Sequence, residues 1–345
     1  MNWTEYQEPN NETYETGKEY RQRLMNDFQS FVENYQKQAD TRRLQMQTPK
    51  EFAQNREKHR ADFVRMLGFP LTENLPYGER VEIVDCFEDE TYIWQRMRIE
   101  IFPNFYAYGI LTKHKDGAKR PFVMAMHGGE GTPELINGFV DNSSNYNHMV
   151  RRILSGGVNV FAMQTFLWRV ESFGVDFNRK DMDSLLRGLG GSMTALEVCM
   201  IQRCLDYFEK QAFVDNERMG IVGLSYGGMF SMVTAAVDTR LKCVYSCSWF
   251  NDRSKYAWSD WVYPSMFSLF KDAEIGGLIA PRPLFVGIGK QDALFDYRCA
   301  IEEADRLKAF YSETEDSEKY QFHIFEGTHE FDKNEDGLAF FFKYL

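Results

Sequence analysis

No stretch of this sequence approaches eighteen consecutive apolar residues, which excludes a membrane-spanning helix. An excess of positive charge is missing too. Fifty-one acidic against 40 basic residues leave a formal charge of −11, a poor balance for a protein that tracks the phosphates of nucleic acid. The six cysteines include no Cys-x-x-Cys pair and none at zinc-ligand spacing from a histidine. Most fall in apolar runs, Cys243 and Cys247 for example, and read as reduced core residues rather than disulfides. The opening residues lack the basic and apolar regions of a secretory signal, so a cytoplasmic location is expected. The Asn-x-Ser/Thr triplets at Asn2, Asn11 and Asn142 then carry no glycosylation meaning. Repeats and low-complexity segments are absent. What is present, 345 residues of which 43% are hydrophobic and 15% aromatic, is too apolar for disorder. A chain of this length buries roughly 75% of the surface its unfolded form exposes.

Two regimes divide the chain, an N-terminal helical extension over residues 1–75 and a catalytic domain over 76–345. In the first, Tyr20, Leu24, Phe28, Phe31, Val32 and Tyr35 recur at helical spacing. A second helix is predicted from Thr48-Pro49-Lys50-Glu51, where Thr48 caps, Pro49 takes the first helical position and Glu51 closes a capping box. It runs through Phe52, Phe63, Val64 and Leu67 to Gly68. These helices are expected to pack on the main domain as a cap, with a dimerisation arm, and so a homo-oligomer, as the alternative.

Beyond residue 80 the period changes. Residues 81–86 and 94–102 alternate apolar and polar, as half-exposed antiparallel strands do. Wholly apolar runs follow at 122–126, 158–163, 219–222, 243–246, 284–288 and 322–325, separated by helical segments such as 192–208. The alternation predicts an α/β fold, a mostly parallel sheet with helices on both faces, whose ligands sit at the carboxyl ends of the strands.

Gly223-Leu224-Ser225-Tyr226-Gly227-Gly228 joins one of these runs to an apolar helix. A sharp strand-to-helix turn of this kind strains its serine and needs small residues two positions to either side. Ser225 is therefore the candidate nucleophile, exposed at a helix N-terminus that favours an anion. Such a serine needs a base and an orienting acid. Asp292 follows the run 284–288 and His329 follows 322–325, each just past a predicted strand end. Asp296 is the lesser candidate for the acid, better placed to cap the next helix. His323 lies inside a strand. The oxyanion of an acyl-transfer intermediate requires two N–H donors. Tyr226 supplies the first from the head of the helix, and the loop His127-Gly128-Gly129-Glu130 the second, with Gly129 favoured over Gly128 or Glu130. His127 reads as a brace for that loop.

With these residues in place, the chain resembles the α/β-hydrolase superfamily over roughly residues 75–345. Within it, the chain looks like the acetyl xylan esterase and dienelactone hydrolase branch of bacterial carbohydrate-type esterases. His127-Gly128-Gly129, the Ser225 turn, Leu278-Ile279-Ala280-Pro281-Arg282-Pro283 and Gly327-Thr328-His329-Glu330-Phe331 carry the likeness. The resemblance implies a serine esterase acting through an acyl-enzyme on a small-molecule or oligosaccharide ester, with no metal or organic cofactor and no nucleic-acid or membrane partner. One departure is Gln164-Thr165-Phe166-Leu167-Trp168-Arg169, where such esterases often carry a glycine-rich turn, so the substrate can differ from acetylated xylan. The Ser225 turn is similar as well to prolyl-oligopeptidase-type peptidases, which makes a peptidase without a propeller the alternative activity. A non-catalytic binding module on the same fold is the alternative of another kind.

An aromatic-rich, lid-like insertion spans about residues 249–280. Its Trp249, Trp258 and Trp261, with Trp168 across the cleft, are candidates to stack on sugar rings or line an acyl pocket, unless they pack inward. Arg169 and Arg253 are expected in solvent-facing salt bridges, with binding of a substrate carboxylate as the alternative.

Overall fold

The computed structural model describes residues 14–15, 17–68, 75–166, 168 and 173–345. They form two compact units, residues 1–47 and 48–345. The first holds one long helix, α1 (Lys18–Met46). The stripe from Tyr20 to Tyr35 runs along it with its side chains exposed, and Phe31 stacks on Tyr35 at 6.1 Å.

The larger unit opens with α2 (Pro49–Gln54) and α3 (Arg56–Leu67). These are the single helix expected here, interrupted at Asn55. Thr48 caps α2, and the left-handed Gly68 ends α3. Phe52 and Phe63 are fully buried against Phe310 and Phe270.

Among the described residues, nine strands make one sheet in the order β1-β2-β3-β5-β4-β6-β7-β8-β9. Three antiparallel pairings join β1 (Val81–Glu88), β2 (Tyr92–Phe102), β3 (Phe105–His114) and β5 (Asn159–Met163). All remaining pairings are parallel. They link β5 to β4 (Arg120–Met126), then β6 (Val214–Leu224), β7 (Leu241–Cys247), β8 (Leu284–Gly289) and β9 (Tyr320–Phe325). The apolar runs read from the sequence thus become the parallel strands. β3 is an addition that the sequence pattern did not reveal.

Alternate residues of β4 point to opposite faces of the sheet. Phe122, Met124 and Met126 join a core built with α6 (Met193–Phe208), α7 (Tyr226–Val237), α8 (Asp272–Ile279) and α9 (Ile301–Ser312). Val123 and Ala125 join a second core under α4 (Met149–Leu154) and α10 (Asp336–Tyr344). A further helix, α5 (Arg179–Gly188), precedes α6. The motif at 278–283 is structural. The Ala280–Pro281 bond is cis, and the Arg282 guanidinium donates to the carbonyls of Ala235, Asp238 and Leu241 at 2.6, 3.1 and 2.8 Å.

Candidate functional site

Every candidate residue of the site follows the carboxyl end of a parallel strand or heads the helix after it. β4 and β6 are adjacent, with Met126 paired to Gly223, so the His127 loop and the Ser225 turn leave the sheet side by side. β8 and β9 are adjacent too, with Gly289 paired to Phe325, and deliver Asp292 and His329 together.

The turn at Ser225 is as tight as its spacing suggested. Ser225 has φ 59° and ψ −119°, a conformation costly for a residue with a side chain. A β-carbon on Gly223 would lie 2.1 Å from the Gly227 carbonyl oxygen, and one on Gly227 would lie 2.0 Å from that of Met126. Only glycine lets the strand, the turn and β4 close on one another. The Ser225 N–H donates to the Cys247 carbonyl at 2.8 Å, locking the turn to β7.

The Asp292 side chain is fully buried, and its Oδ2 stands 2.8 Å from His329 Nδ1. Its Oδ1 accepts the N–H groups of Leu294 and Phe295 at 2.8 and 3.0 Å, so both oxygens are engaged. The loops that carry the pair are joined through the Gln291 N–H, which donates to the Gly327 carbonyl at 2.8 Å. Asp296 caps the short turn Tyr297–Cys299, as expected. His323 lies in β9, 3.9 Å from Asp332.

His127 is fully buried and does brace its loop. Thr165 donates its N–H to Nε2 at 3.0 Å, which leaves Nδ1–H to donate to the Gly128 carbonyl at 2.7 Å. Burial holds the imidazole neutral by pushing its pKa down to about 4. The Gly128 N–H is taken by the Tyr146 hydroxyl at 2.7 Å. The Gly129 carbonyl accepts from Trp168 N–H at 2.9 Å. Tyr226, the first residue of α7, has an N–H beyond the reach of intrahelical acceptors.

A pocket of about 460 Å³ opens over these groups. It is lined by Gly128, Gly129, Ser225, Tyr226 and His329, and its aromatic walls are Trp168 and Trp258. Trp249 and Trp261 stand outside that lining, each 2% exposed. They clasp the Arg253 guanidinium, whose carbon lies 4.5 and 4.9 Å from their rings. Arg253 is itself wholly buried and paired with Asp272, which corrects the solvent-facing salt bridge expected for it. Arg169 lies outside the described residues.

Two features of the site escaped the sequence. One is a buried charge cluster behind Tyr226. Arg179 Nε and the Tyr226 hydroxyl both donate to Asp260 Oδ2 at 2.9 Å, and Arg179 also pairs with Glu197 through contacts of 3.0 and 2.7 Å. Burial raises Glu197 even so. The other is the segment 141–148, where Asp141, Asn142, Ser143, Ser144, Asn147 and His148 all have positive φ and where Asn145 and Asn147 donate to the His329 and Phe331 carbonyls. Arg179, Glu197 and Asp260 are too far apart in sequence for any local signal. The asparagine-rich run at 141–148 did carry one, since asparagine tolerates left-handed backbone.

Known proteins resemble the chain at two levels. Residues 198–276 match the prolyl oligopeptidase family, a stretch that includes Ser225 but neither Asp292 nor His329. A Bacillus subtilis (strain 168) protein provisionally named as the hydrolase YtaP is 35% identical over 119 residues, 31% of this chain. The match spans 39% of that protein's length. Among solved structures, a provisionally assigned acetyl xylan esterase of Bacteroides fragilis aligns with a TM-score of 0.67 at 15% identity, covering 81% of this chain and 76% of its own. A glucuronoyl esterase from Solibacter usitatus aligns at 0.62 and 14% identity, covering 84% and 91%. Acetyl xylan esterase 1 of a Thermoanaerobacterium species aligns at 0.56 and 15%, covering 84% and 93%. The fold is that of the α/β-hydrolases.

Proposed function

We propose that this chain is a serine esterase that cleaves short-acyl esters, acetyl esters of neutral carbohydrates among them, through an acyl-enzyme. The observation that carries the proposal is the 2.8 Å contact between His329 Nδ1 and Asp292, beside a pocket that Ser225 and His329 both line. Ser225 Oγ attacks the ester carbonyl while His329 Nε2 takes its proton. Asp292 holds the proton of the ring on Nδ1, so that Nε2 is the free base. The N–H groups of Tyr226 and Gly129 receive the negative charge that develops on the carbonyl oxygen. The alcohol leaves with the proton from His329, and water activated by the same ring then releases the acid. Trp168 and Trp258 suit a sugar ring or a small acyl chain. Ser225→Ala is expected to lower turnover of p-nitrophenyl acetate by about 10⁴-fold or more. Full turnover by that variant would overturn the proposal.

The match to the prolyl oligopeptidase family over 198–276 favours a second reading, peptide-bond cleavage by the same three residues. Parallel panels of acyl esters and peptide amides separate the two. Ester cleavage without amide cleavage supports the esterase.

A further inference from the structure

Every residue of α1 from Lys18 to Tyr35 is exposed, a rod of helix about 27 Å long at 1.5 Å per residue. Helices in proteins draw most of their stability from burying an apolar face. Here Gly17, at the N-terminus of α1, contributes no side-chain cap to replace it. Side-chain hydrogen bonds from Gln22 to Asn26 and from Gln29 to Glu33, 2.9 and 3.1 Å long, run along one face. The stripe from Tyr20 to Tyr35, with Met25 beside it, runs along the other, its side chains 44–74% exposed. A continuous apolar surface of this kind marks a place of interaction.

Three properties of the stripe fit a second copy of this chain. The first is internal symmetry. Leu24 and Val32 stand four residues to either side of Phe28, and Met25 and Phe31 stand three to either side. The stripe therefore reads nearly alike in both directions, as an isologous two-fold contact requires. In antiparallel alignment Leu24 meets Val32 of the second copy, Met25 meets Phe31, and Phe28 meets its own counterpart. The second property is charge. Lys18, Arg21 and Arg23 outweigh Glu19 at one end, whereas Asp27 and Glu33 are the charged residues between Leu24 and Tyr35. Antiparallel pairing sets the basic half of one helix beside the acidic half of the other, and parallel pairing sets like beside like. Over residues 18–35 these charges cancel, in a chain of formal charge −11, so two copies meet here without local repulsion. The third is area. A fully buried aromatic side chain removes about 150–250 Å² from water. At the exposures found, covering the stripe removes on the order of 700 Å² per copy and about 1,400 Å² per pair, within the ~1,200–2,000 Å² of specific interfaces.

We infer that α1 pairs antiparallel with α1 of a second copy of this chain, Phe28 against Phe28 on the two-fold axis. The pairing is independent of the esterase reading, since it uses no residue of the pocket.

Light scattering of the full chain at micromolar concentration, after size exclusion, tests it. The parent is expected at twice the chain mass. Phe28→Glu combined with Phe31→Glu is expected at the chain mass, with the dissociation constant raised about 100-fold or more. Near-ultraviolet circular dichroism matching the parent's shows that the double variant keeps its packed core. Cysteine substitutions then read the orientation under mild oxidation, with the parent and its exposed Cys86 as the control. Phe28→Cys should give a disulfide-linked dimer, because that position meets its own copy. Tyr20→Cys should not, since antiparallel pairing holds the two positions about 24 Å apart along the helices. This pair of variants keeps the test decisive even where the double variant does not fold. A dimer that survives both glutamates, or crosslinking through Tyr20→Cys, overturns the inference. A monomeric parent overturns it as well, and cosedimentation of that monomer with phosphatidylglycerol vesicles would assign the stripe to a lipid surface instead.

Discussion

Acid should strip stability from this protein through His127, by an amount that follows from its surroundings. Nε2 accepts the Thr165 N–H at 3.0 Å and Nδ1–H donates to the Gly128 carbonyl at 2.7 Å. A second proton would have to go on Nε2, facing a donor, and would create a charge in a site with no exposure to water. The pKa is accordingly pushed from an ordinary 6.5 to about 4. Between these values the unfolded chain holds a proton that the folded chain does not. The stabilisation is therefore complete above pH 6.5 and lost as the pH falls towards 4. At 1.36 kcal/mol per unit, the loss is about 3 kcal/mol. Urea unfolding of the parent and of His127→Gln, measured from pH 7 to pH 4, should show the parent's free-energy advantage shrinking by about that amount. Selective ¹³C labelling of the six histidines would follow the same event directly, as one ring titrating near pH 4. Parallel stability profiles, or a His127 ring that titrates near 6.5, would refute the reasoning.

Gly227→Ala should cost about 3 kcal/mol or more, at or beyond the upper end for overpacking, because its β-carbon meets the Met126 backbone at 2.0 Å. Gly188→Ala, with nothing within 4 Å, is the control, and a Gly227→Ala protein with an unchanged thermal midpoint would contradict the packing described. Arg179→Met leaves Glu197 and Asp260 buried without their cation, so a loss of about 3–5 kcal/mol is expected. Adding Glu197→Gln should recover part of it in urea unfolding, and full stability of the single variant would show that the cluster is not coupled.

The Ser225 turn was legible because its demands are local. Gly223 and Gly227 are required by contacts formed within and beside the turn itself, and the residue spacing records them. Asp292 and His329 were legible through chain order, since parallel strands return to the same end of the sheet. β3 was not. Gly109 in its middle, which makes way for the Phe161 ring at 2.4 Å from a notional β-carbon, breaks up the apolar run that marks the other strands. The tryptophans show a different limit. Trp249, Trp258 and Trp261 are alike in composition and neighbourhood, yet only Trp258 lines the pocket, because Arg253 draws the other two inward. Tyr146 depends on left-handed residues that only their partners at 329–331 can hold, and a one-dimensional pattern does not contain those partners.

The short segment 141–148 touches both halves of the proposed chemistry, Gly128 through Tyr146 and the backbone of His329 through Asn145. It should act as a fuse, because backbone held at positive φ by a few hydrogen bonds can relax when they open without melting the sheet. On heating, activity should then vanish several degrees before the global transition, abruptly and reversibly. Cooling alone would restore it.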